Sequence, residues 1–193
     1  MGGVALRRNL VLFGPPGSGK GTQAELLRER YELDHIAPGD MLRQHLSQGT
    51  ELGQMASGYM AAGKLVPDEV IVNMIRHRLE EGRADAGFVL DGFPRTVAQA
   101  RALQELLTNL DRPLDIVLVL DVPVSALKAR LTLRAGQEQR QDDRPEVIEE
   151  RLRVYQERTE PVLEYLAGDV PVLHIDGCGS IEEVSRELLR VLQ

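Results

Sequence analysis

The sequence predicts a three-layer α/β fold, in which a five-stranded parallel sheet carries helices on both faces. Three observations lead to this prediction. Short apolar segments alternate with longer segments whose apolar residues recur every three or four positions. A glycine-rich loop directly follows the first apolar segment. The 193 residues are enough for one sizeable core, so a single domain is expected.

Five segments are predicted to be strands, because each is short, apolar and bounded by polar or turn-forming residues. They are 9–13, 34–37, 88–90, 116–121 and 172–175. Five segments with helical periodicity are predicted to be amphipathic helices. They are 21–32, 97–110, 124–133, 145–166 and 181–192.

Two segments interrupt this alternation. Residues 38–66 contain short helical patterns broken by glycines, where one crossover helix would suffice, and they are interpreted as an inserted subdomain. Residues 134–144 contain no aliphatic side chain larger than alanine and are predicted to be an exposed, mobile loop. The second segment is about as long as functional lids tend to be.

Composition excludes several classes of protein. The net charge is −7 and no basic tail is present, which argues against a nucleic-acid-binding protein. No apolar run reaches the length of a bilayer span, and no signal peptide is expected at the start. The single cysteine, Cys178, allows neither an internal disulfide nor a thiolate zinc site, so a cytoplasmic protein is expected.

The loop at residues 14–20 reads Gly-Pro-Pro-Gly-Ser-Gly-Lys, between a predicted strand and a predicted helix. This is the context in which the G-x-x-x-x-G-K motif binds phosphate. Backbone N–H groups and the helix N-terminus form a nest for an anion, and Lys20 reaches the terminal phosphates. The sequence therefore predicts a nucleoside triphosphate site.

The motif continues with Gly21 in place of the usual Ser or Thr, and the hydroxyl comes one residue later in Thr22. This variant resembles the nucleoside monophosphate kinases, and the adenylate kinase family with a short lid in particular. The blocks at 39–43, 63–69, 91–96 and 140–143 are similar to that family's blocks in order and spacing. The resemblance covers almost the whole chain and implies the Mg²⁺-dependent reaction ATP + AMP ⇌ 2 ADP.

The resemblance also implies which residues form the site. Those implied in phosphoryl transfer are Lys20, Arg95, Arg134, Arg140 and Arg151. Those implied in ATP binding are Gly17, Ser18, Gly19, Lys20, Gly21, Thr22, Arg130, Arg134 and Gly179. Those implied in AMP binding are Pro38, Arg43, Lys64, Leu65, Val66, Gly92, Phe93, Pro94, Arg95, Gln99, Arg140 and Arg151.

The resemblance also implies where a metal ion binds. Asp91 ends an apolar strand beside the phosphate loop, and its implied role is to hold Mg²⁺ through water. Asp40 resembles a second acidic contributor or caps its helix, and Asp142 and Asp143 are expected to orient nearby arginines. No structural zinc is expected, because the short lid contains no cysteine.

The resemblance divides the chain into a core of residues 1–36, 67–132 and 144–193, a monophosphate-binding segment at 37–66 and a lid at 133–143. ATP, AMP and ADP are the expected partners of a monomer. Pro38 departs from the family pattern, which usually has Thr there. Proline suits the first turn of a helix but supplies no hydroxyl to a base.

Two other functions are kept as alternatives. A kinase of the same family that prefers UMP or CMP is disfavoured by Thr96 and Gln99, where those enzymes typically carry asparagine. A nucleotide-hydrolysing P-loop switch is disfavoured by Gly21 and by an arginine set larger than water activation requires.

Overall fold

The computed structural model describes residues 8–82, 86–138 and 141–192. Within them the strands are β1 (Asn9–Phe13), β2 (Asp34–Ile36), β3 (Phe88–Asp91), β4 (Ile116–Asp121) and β5 (Val172–Asp176). All neighbouring strands pair in parallel, in the order β2-β3-β1-β4-β5. The predicted parallel sheet is confirmed, and every strand ends within one residue of its expected bounds.

Alternate side chains of the central strands enter two separate cores. Val11 and Phe13 of β1 belong to one buried cluster, and Leu10 and Leu12 belong to the other. This follows from the period of two along a strand, because both faces of a parallel sheet are covered by helices. The strands are apolar on both faces for that reason.

Helices connect these strands, in places several in succession. They are α1 (Lys20–Tyr31), α2 (Pro38–Ser47), α3 (Glu51–Ala61), α4 (Asp68–Glu81), α5 (Val97–Asn109), α6 (Val124–Glu138), α7 (Pro145–Val154), α8 (Glu160–Leu166) and α9 (Ile181–Val191). No helix was predicted from the sequence for residues 67–87, so the prediction missed α4. Its buried Ile71, Ile75 and Leu79 do have helical spacing.

The inserted segment consists of α2 and α3, which connect β2 to α4. Pro38 is the first residue of α2, and Ala37 before it is extended, with φ −122° and ψ 96°. This is the conformation expected from proline at the start of a helix. The backbone therefore accommodates Pro38 without distortion.

The prediction of an exposed loop at 134–144 is wrong about where the loop begins and about its exposure. Helix α6 continues to Glu138, and a 3₁₀ turn follows at Gln141–Asp143. Asp143 is only 1% exposed, because arginines of α6 and α7 bind its carboxylate. The composition of the segment could not show that ion pairs would bury one of its charged residues.

The predicted helix at 145–166 is helical throughout but not uniform. Between α7 and α8, residues Tyr155–Thr159 form a π-helical segment. Pro161 near the start of α8 has no N–H to donate to the preceding turn, which favours a wider turn there. Such segments are frequent at functional sites.

The carboxyl ends of all five described strands lie at one edge of the sheet, where α/β proteins of this kind bind ligands. The phosphate loop leaves β1 at this edge, and Asp91 ends β3 beside it. Helices α6 and α7 pack together through Leu127, Leu131, Ile148 and Leu152. None of the described helices combines the length and the apolar character needed to cross a membrane.

Candidate active site

The loop between β1 and α1 bends through glycines with positive φ. The φ angles are 147° at Gly14, 84° at Gly17 and 94° at Gly19. A side chain at Gly17 would lie 2.8 Å from the Cγ atom of Leu131, so α6 also packs closely on the loop. Glycine thus provides both the turn and the close approach of backbone N–H groups to an anion.

Lys20, the first residue of α1, folds back over this loop. Its Nζ atom donates to the carbonyl oxygens of Gly14 at 2.6 Å and Pro15 at 3.0 Å. Burial, aided by the neighbouring arginines and opposed by Asp91, lowers the pKa of Lys20 to about 8. An anion that binds in the loop would favour the charged form of this side chain.

Asp91, the last residue of β3, lies beside His35 in β2. His35 Nε2 is 3.7 Å from Asp91 Oδ2, and His35 Nδ1 is 3.5 Å from a carboxylate oxygen of Glu25. Burial alone would raise the pKa of Asp91, but the nearby His35, Lys20 and Arg95 outweigh it and lower the pKa. Asp91 is therefore a buried carboxylate that stays ionised.

Arg95 follows β3 through a cis Phe93–Pro94 bond. Its Nε donates to the carbonyl of Gly92 at 2.7 Å, and its own carbonyl accepts from Thr159 Oγ1 at 3.1 Å. Burial lowers the pKa of Arg95 to about 10, and nearby Arg151 contributes to the shift. The guanidinium remains charged at neutral pH and lies among other cations.

Helices α6 and α7 bring Arg134 and Arg151 to one carboxylate. Asp143 accepts from Arg134 Nε at 2.6 Å and Nη2 at 2.7 Å, and from Arg151 Nη1 at 2.6 Å. Arg151 also donates to the backbone carbonyl of Asp142 at 2.9 Å. The expected orienting role of these two aspartates agrees with these contacts.

Arg130 lies one helical turn before Arg134. Its guanidinium donates to the carbonyl of Gly177 at 2.9 Å and, more weakly, to that of Ser18 at 3.5 Å. It therefore connects the phosphate loop with the turn that follows β5. That turn contains Gly179 and ends at Ser180, which caps α9.

Arg43 approaches from the inserted segment. It pairs with Asp40 one turn earlier in α2, and its Nη1 is 3.9 Å from Asp142 Oδ2. Asp40 thus binds an arginine of its own helix. The ion pair with Asp142 links α2 to the 3₁₀ turn at Gln141–Asp143.

These side chains surround two adjoining cavities. The larger, of about 450 Å³, is lined by Gly17, Gly19, Lys20, Gly21, Thr22, Asp91, Phe93, Pro94, Arg130 and Arg134. The smaller, of about 80 Å³, is lined by Pro38, Lys64, Val66 and Gln99. Both are lined by Arg43, Leu65, Gly92, Arg95 and Arg151.

Two described residues that were expected at the site, Ser18 and Gly179, are not among those that line these cavities. Ser18 is buried beneath the loop, with its Oγ 3.4 Å from Lys20 Nζ. Gly179 lies in the turn after β5. Arg140 lies outside the described residues.

The structure places in or beside the site some polar residues for which no role was predicted from the sequence. Examples are His35 beside Asp91, Asp68 beside Gln99, and Thr159, which donates to the carbonyl of Arg95. Asp68 lies in one of the quoted blocks, but no spacing rule connects it to Gln99. The contacts depend on how separate elements pack.

A family model described as adenylate kinase matches residues 12–169, which include the phosphate loop, the inserted segment and both arginine-bearing helices. This chain belongs to the adenylate kinase family. An adenylate kinase of Stenotrophomonas maltophilia is 45% identical over 184 residues, 95% of this chain and 98% of the relative. One of Corynebacterium urealyticum is 49% identical over 183 residues, with the same coverage of both chains. One of Methanothrix thermoacetophila is 40% identical over 210 residues, again covering 95% and 98%.

Membership of the adenylate kinase family makes the chain a phosphotransferase that acts between ATP and AMP. The pyrimidine kinase and the hydrolysing switch are not favoured. Adenylate kinases use Mg²⁺ with ATP as a general property. The predicted family and fold are thus confirmed.

Proposed function

We propose that ATP binds in the larger cavity and AMP at the smaller one, and that the γ-phosphoryl group passes between them beside Lys20 and Arg95. One observation carries this proposal. Among the described residues, six lysine and arginine side chains line the larger cavity, namely Lys20, Arg43, Arg95, Arg130, Arg134 and Arg151. Two phosphate chains that approach each other require this concentration of positive charge.

The reaction needs no general base, because the attacking group is already an anion. A phosphate oxygen of AMP bonds to the γ-phosphorus as the bond to the β–γ bridging oxygen breaks, which leaves ADP on both sides. The charge that develops on the transferring group is stabilised by Lys20, Arg95, Arg134, Arg140 and Arg151. The role of Arg140 rests on the family resemblance alone.

The two nucleotides are bound by different parts of the chain. For ATP we propose Gly17, Ser18, Gly19, Lys20, Gly21, Thr22, Arg130, Arg134 and Gly179. For AMP we propose Pro38, Arg43, Lys64, Leu65, Val66, Gly92, Phe93, Pro94, Arg95, Gln99, Arg140 and Arg151. The location of Arg43 on the inserted segment and of Arg130 on α6 supports this division.

Mg²⁺ is proposed to be held by Asp91 through water. An ionised, buried carboxylate at the edge of the larger cavity suits a hard cation that usually takes one or two carboxylates together with substrate phosphates. When bound, the ion would neutralise charge on the phosphate oxygens.

We further propose the division into a core, a monophosphate-binding segment at 37–66 and a lid at 133–143, in a protein that acts as a cytoplasmic monomer. The packing of α2 against α3, outside the sheet, supports the inserted segment as a separate unit. Closure of the lid would exclude water, so transfer to AMP would exceed hydrolysis of ATP.

The test is a coupled assay of ADP formation with variants at each end of the site. Arg43→Ala should raise KM for AMP more than KM for ATP, and Arg130→Ala should do the opposite. Arg190→Ala is a matched control, because Arg190 is an exposed arginine on α9 paired only by a surface glutamate among the described contacts. Equal effects of both variants on both substrates would contradict the proposed division.

A further inference from the structure

The side-chain amide of Gln99 is held at both ends. Its Oε1 accepts from the backbone N–H of Arg95 at 2.7 Å, and its Nε2 donates to Asp68 Oδ1 at 2.7 Å. Gln99 itself is only 2% exposed. Its amide therefore has two short hydrogen bonds before any base is considered.

Both partners have a fixed polarity. A backbone N–H can only donate and a carboxylate can only accept, whereas an amide can be turned over to exchange its donor and acceptor ends. In the other orientation, Nε2 would face an N–H group and Oε1 would face a carboxylate. The two partners together thus permit one orientation of Gln99.

Asp68 is well placed to act in this way. It is the first residue of α4, and its carboxylate reaches across to the first turn of α5. Its second oxygen accepts from Thr96 Oγ1 at 2.8 Å, and Thr96 Oγ1 in turn accepts from the backbone N–H of Gln99 at 3.1 Å. The carboxylate is therefore fixed by Thr96 while it orients Gln99.

The fixed amide leaves one lone pair on Oε1 and one N–H on Nε2 for a ligand. A base with an amino donor next to a ring-nitrogen acceptor matches this order, and 6-aminopurine is such a base. A 6-oxopurine has an acceptor next to a ring N–H donor, which is the reverse order. Turning the amide over would reverse the preference.

We propose that Asp68 is a specificity-determining positioning residue, which makes the site select 6-aminopurine over 6-oxopurine monophosphates by fixing the amide of Gln99. This inference rests on the proposed function, in which Gln99 contacts the acceptor base. Pro38, which lines the same cavity, has neither a hydroxyl nor a backbone N–H to read the base. Selection therefore depends more heavily on Gln99.

The decisive variant is Asp68→Asn, compared with Glu69→Gln. Both remove one negative charge from the first turn of α4, but Glu69 is exposed and only Asp68 contacts Gln99. An asparagine can still accept from Thr96 through its oxygen while it presents an NH₂ group to Gln99. Such a group favours the reversed amide.

The measurement is kcat/KM for AMP and for inosine monophosphate at saturating ATP. In Asp68→Asn the ratio of the two should fall by about tenfold or more, which corresponds to one charge-assisted hydrogen bond. Inosine monophosphate should become a better acceptor in absolute terms, and KM for ATP should not change. Glu69→Gln should keep the ratio of the parent.

A rise in activity on inosine monophosphate cannot come from a merely structural lesion. If Asp68→Asn lowers activity on both acceptors equally, the inference is overturned. Should that variant not fold, Thr96→Val gives a second test. It loosens the carboxylate of Asp68 but leaves it beside Gln99 as a group that can only accept. The ratio can therefore fall only through weaker use of AMP, and a gain in activity on inosine monophosphate in Thr96→Val would also overturn the inference. A parent that does not phosphorylate AMP would refute the proposed function instead.

Discussion

The carboxylate of Asp143 forms a two-point ion pair with Arg134, at 2.6 and 2.7 Å, and a third bond with Arg151 at 2.6 Å. Its side chain is fully buried, whereas the side chains of Arg134 and Arg151 are 27% and 16% exposed. Helices α6 and α7 are thus joined at the site by one anion. The geometry keeps two arginines together that would otherwise repel each other.

Asp143→Asn should destabilise the protein, because it removes a buried partner of two cations. The expected loss in the free energy of unfolding is roughly 1.5–3 kcal/mol, typical of hydrogen bonds to charged groups. Urea unfolding at neutral pH measures it. Glu150→Gln is the control, since Glu150 pairs with Arg153 at the surface and should change stability by less than about 1 kcal/mol. A loss no larger than that of the control would contradict this account.

The same ion pair predicts an acid-sensitive stability. Burial would raise the pKa of Asp143, but Arg134 and Arg151 outweigh burial and lower it below 3.8. The stabilisation is therefore complete above the unfolded value and is lost as the pH falls through the lowered pKa of the folded state. The free energy of unfolding is measured between about pH 5 and pH 2, in steps of about one unit. As the pH falls, it should decrease more steeply in the parent than in Asp143→Asn. Parallel curves would exclude this contribution.

Lys20→Met should leave a folded protein and remove most of the activity. Removal of a cation that stabilises developing charge commonly lowers kcat by about 10² to 10³. Lys128→Met is a suitable control, because Lys128 forms an exposed ion pair with Glu149 on the outer side of α6. Circular dichroism should show the same helix content in all three proteins. A Lys20→Met enzyme within about tenfold of the parent would refute the role of this lysine.

Nucleotide affinity should depend on pH through Lys20, whose pKa is about 8. The phosphates of ATP favour the charged ammonium and raise this pKa, so binding takes up a proton at pH values above 8. Affinity should accordingly be constant near pH 7 and weaken as the pH rises past about 8. Calorimetry at about pH 8.5, roughly half a unit above this pKa, measures the proton uptake directly when it is repeated in buffers of different ionisation enthalpy. In Lys20→Arg the pH dependence should disappear; proton uptake that persists there would assign it to another group.

Pro38→Thr should lower KM for AMP. Threonine restores a hydroxyl at the edge of the smaller cavity, where a neutral hydrogen bond is worth roughly two- to twelvefold in binding. The first position of α2 accepts either residue, so the fold should be unaffected. Steady-state kinetics with AMP, CMP and UMP measure the effect. Better use of CMP or UMP than of AMP by the parent would favour the pyrimidine kinase after all.

Much of the fold could be predicted because its determinants are local in the sequence. A strand buried on both faces needs an uninterrupted apolar run, as at 116–121, and an amphipathic helix needs apolar residues every three or four positions. The phosphate loop is similarly local, since Gly14, Gly17 and Gly19 adopt backbone angles that few other residues tolerate. The start of α2 at Pro38 follows from the geometry of proline itself.

Tertiary structure decided how charged and polar groups pair. The sequence could name Arg134, Arg151 and Gln99 as site residues, but it could not show that Asp143 joins the two arginines or that Asp68 orients the glutamine. It also could not show that burial brings the pKa of Lys20 to about 8. These properties depend on distances between elements far apart in the chain, and Coulomb and hydrogen-bond energies change steeply over a few ångströms. Spacing along one chain contains no such distances, whereas the packing of α4 on α5 and of α6 on α7 fixes them.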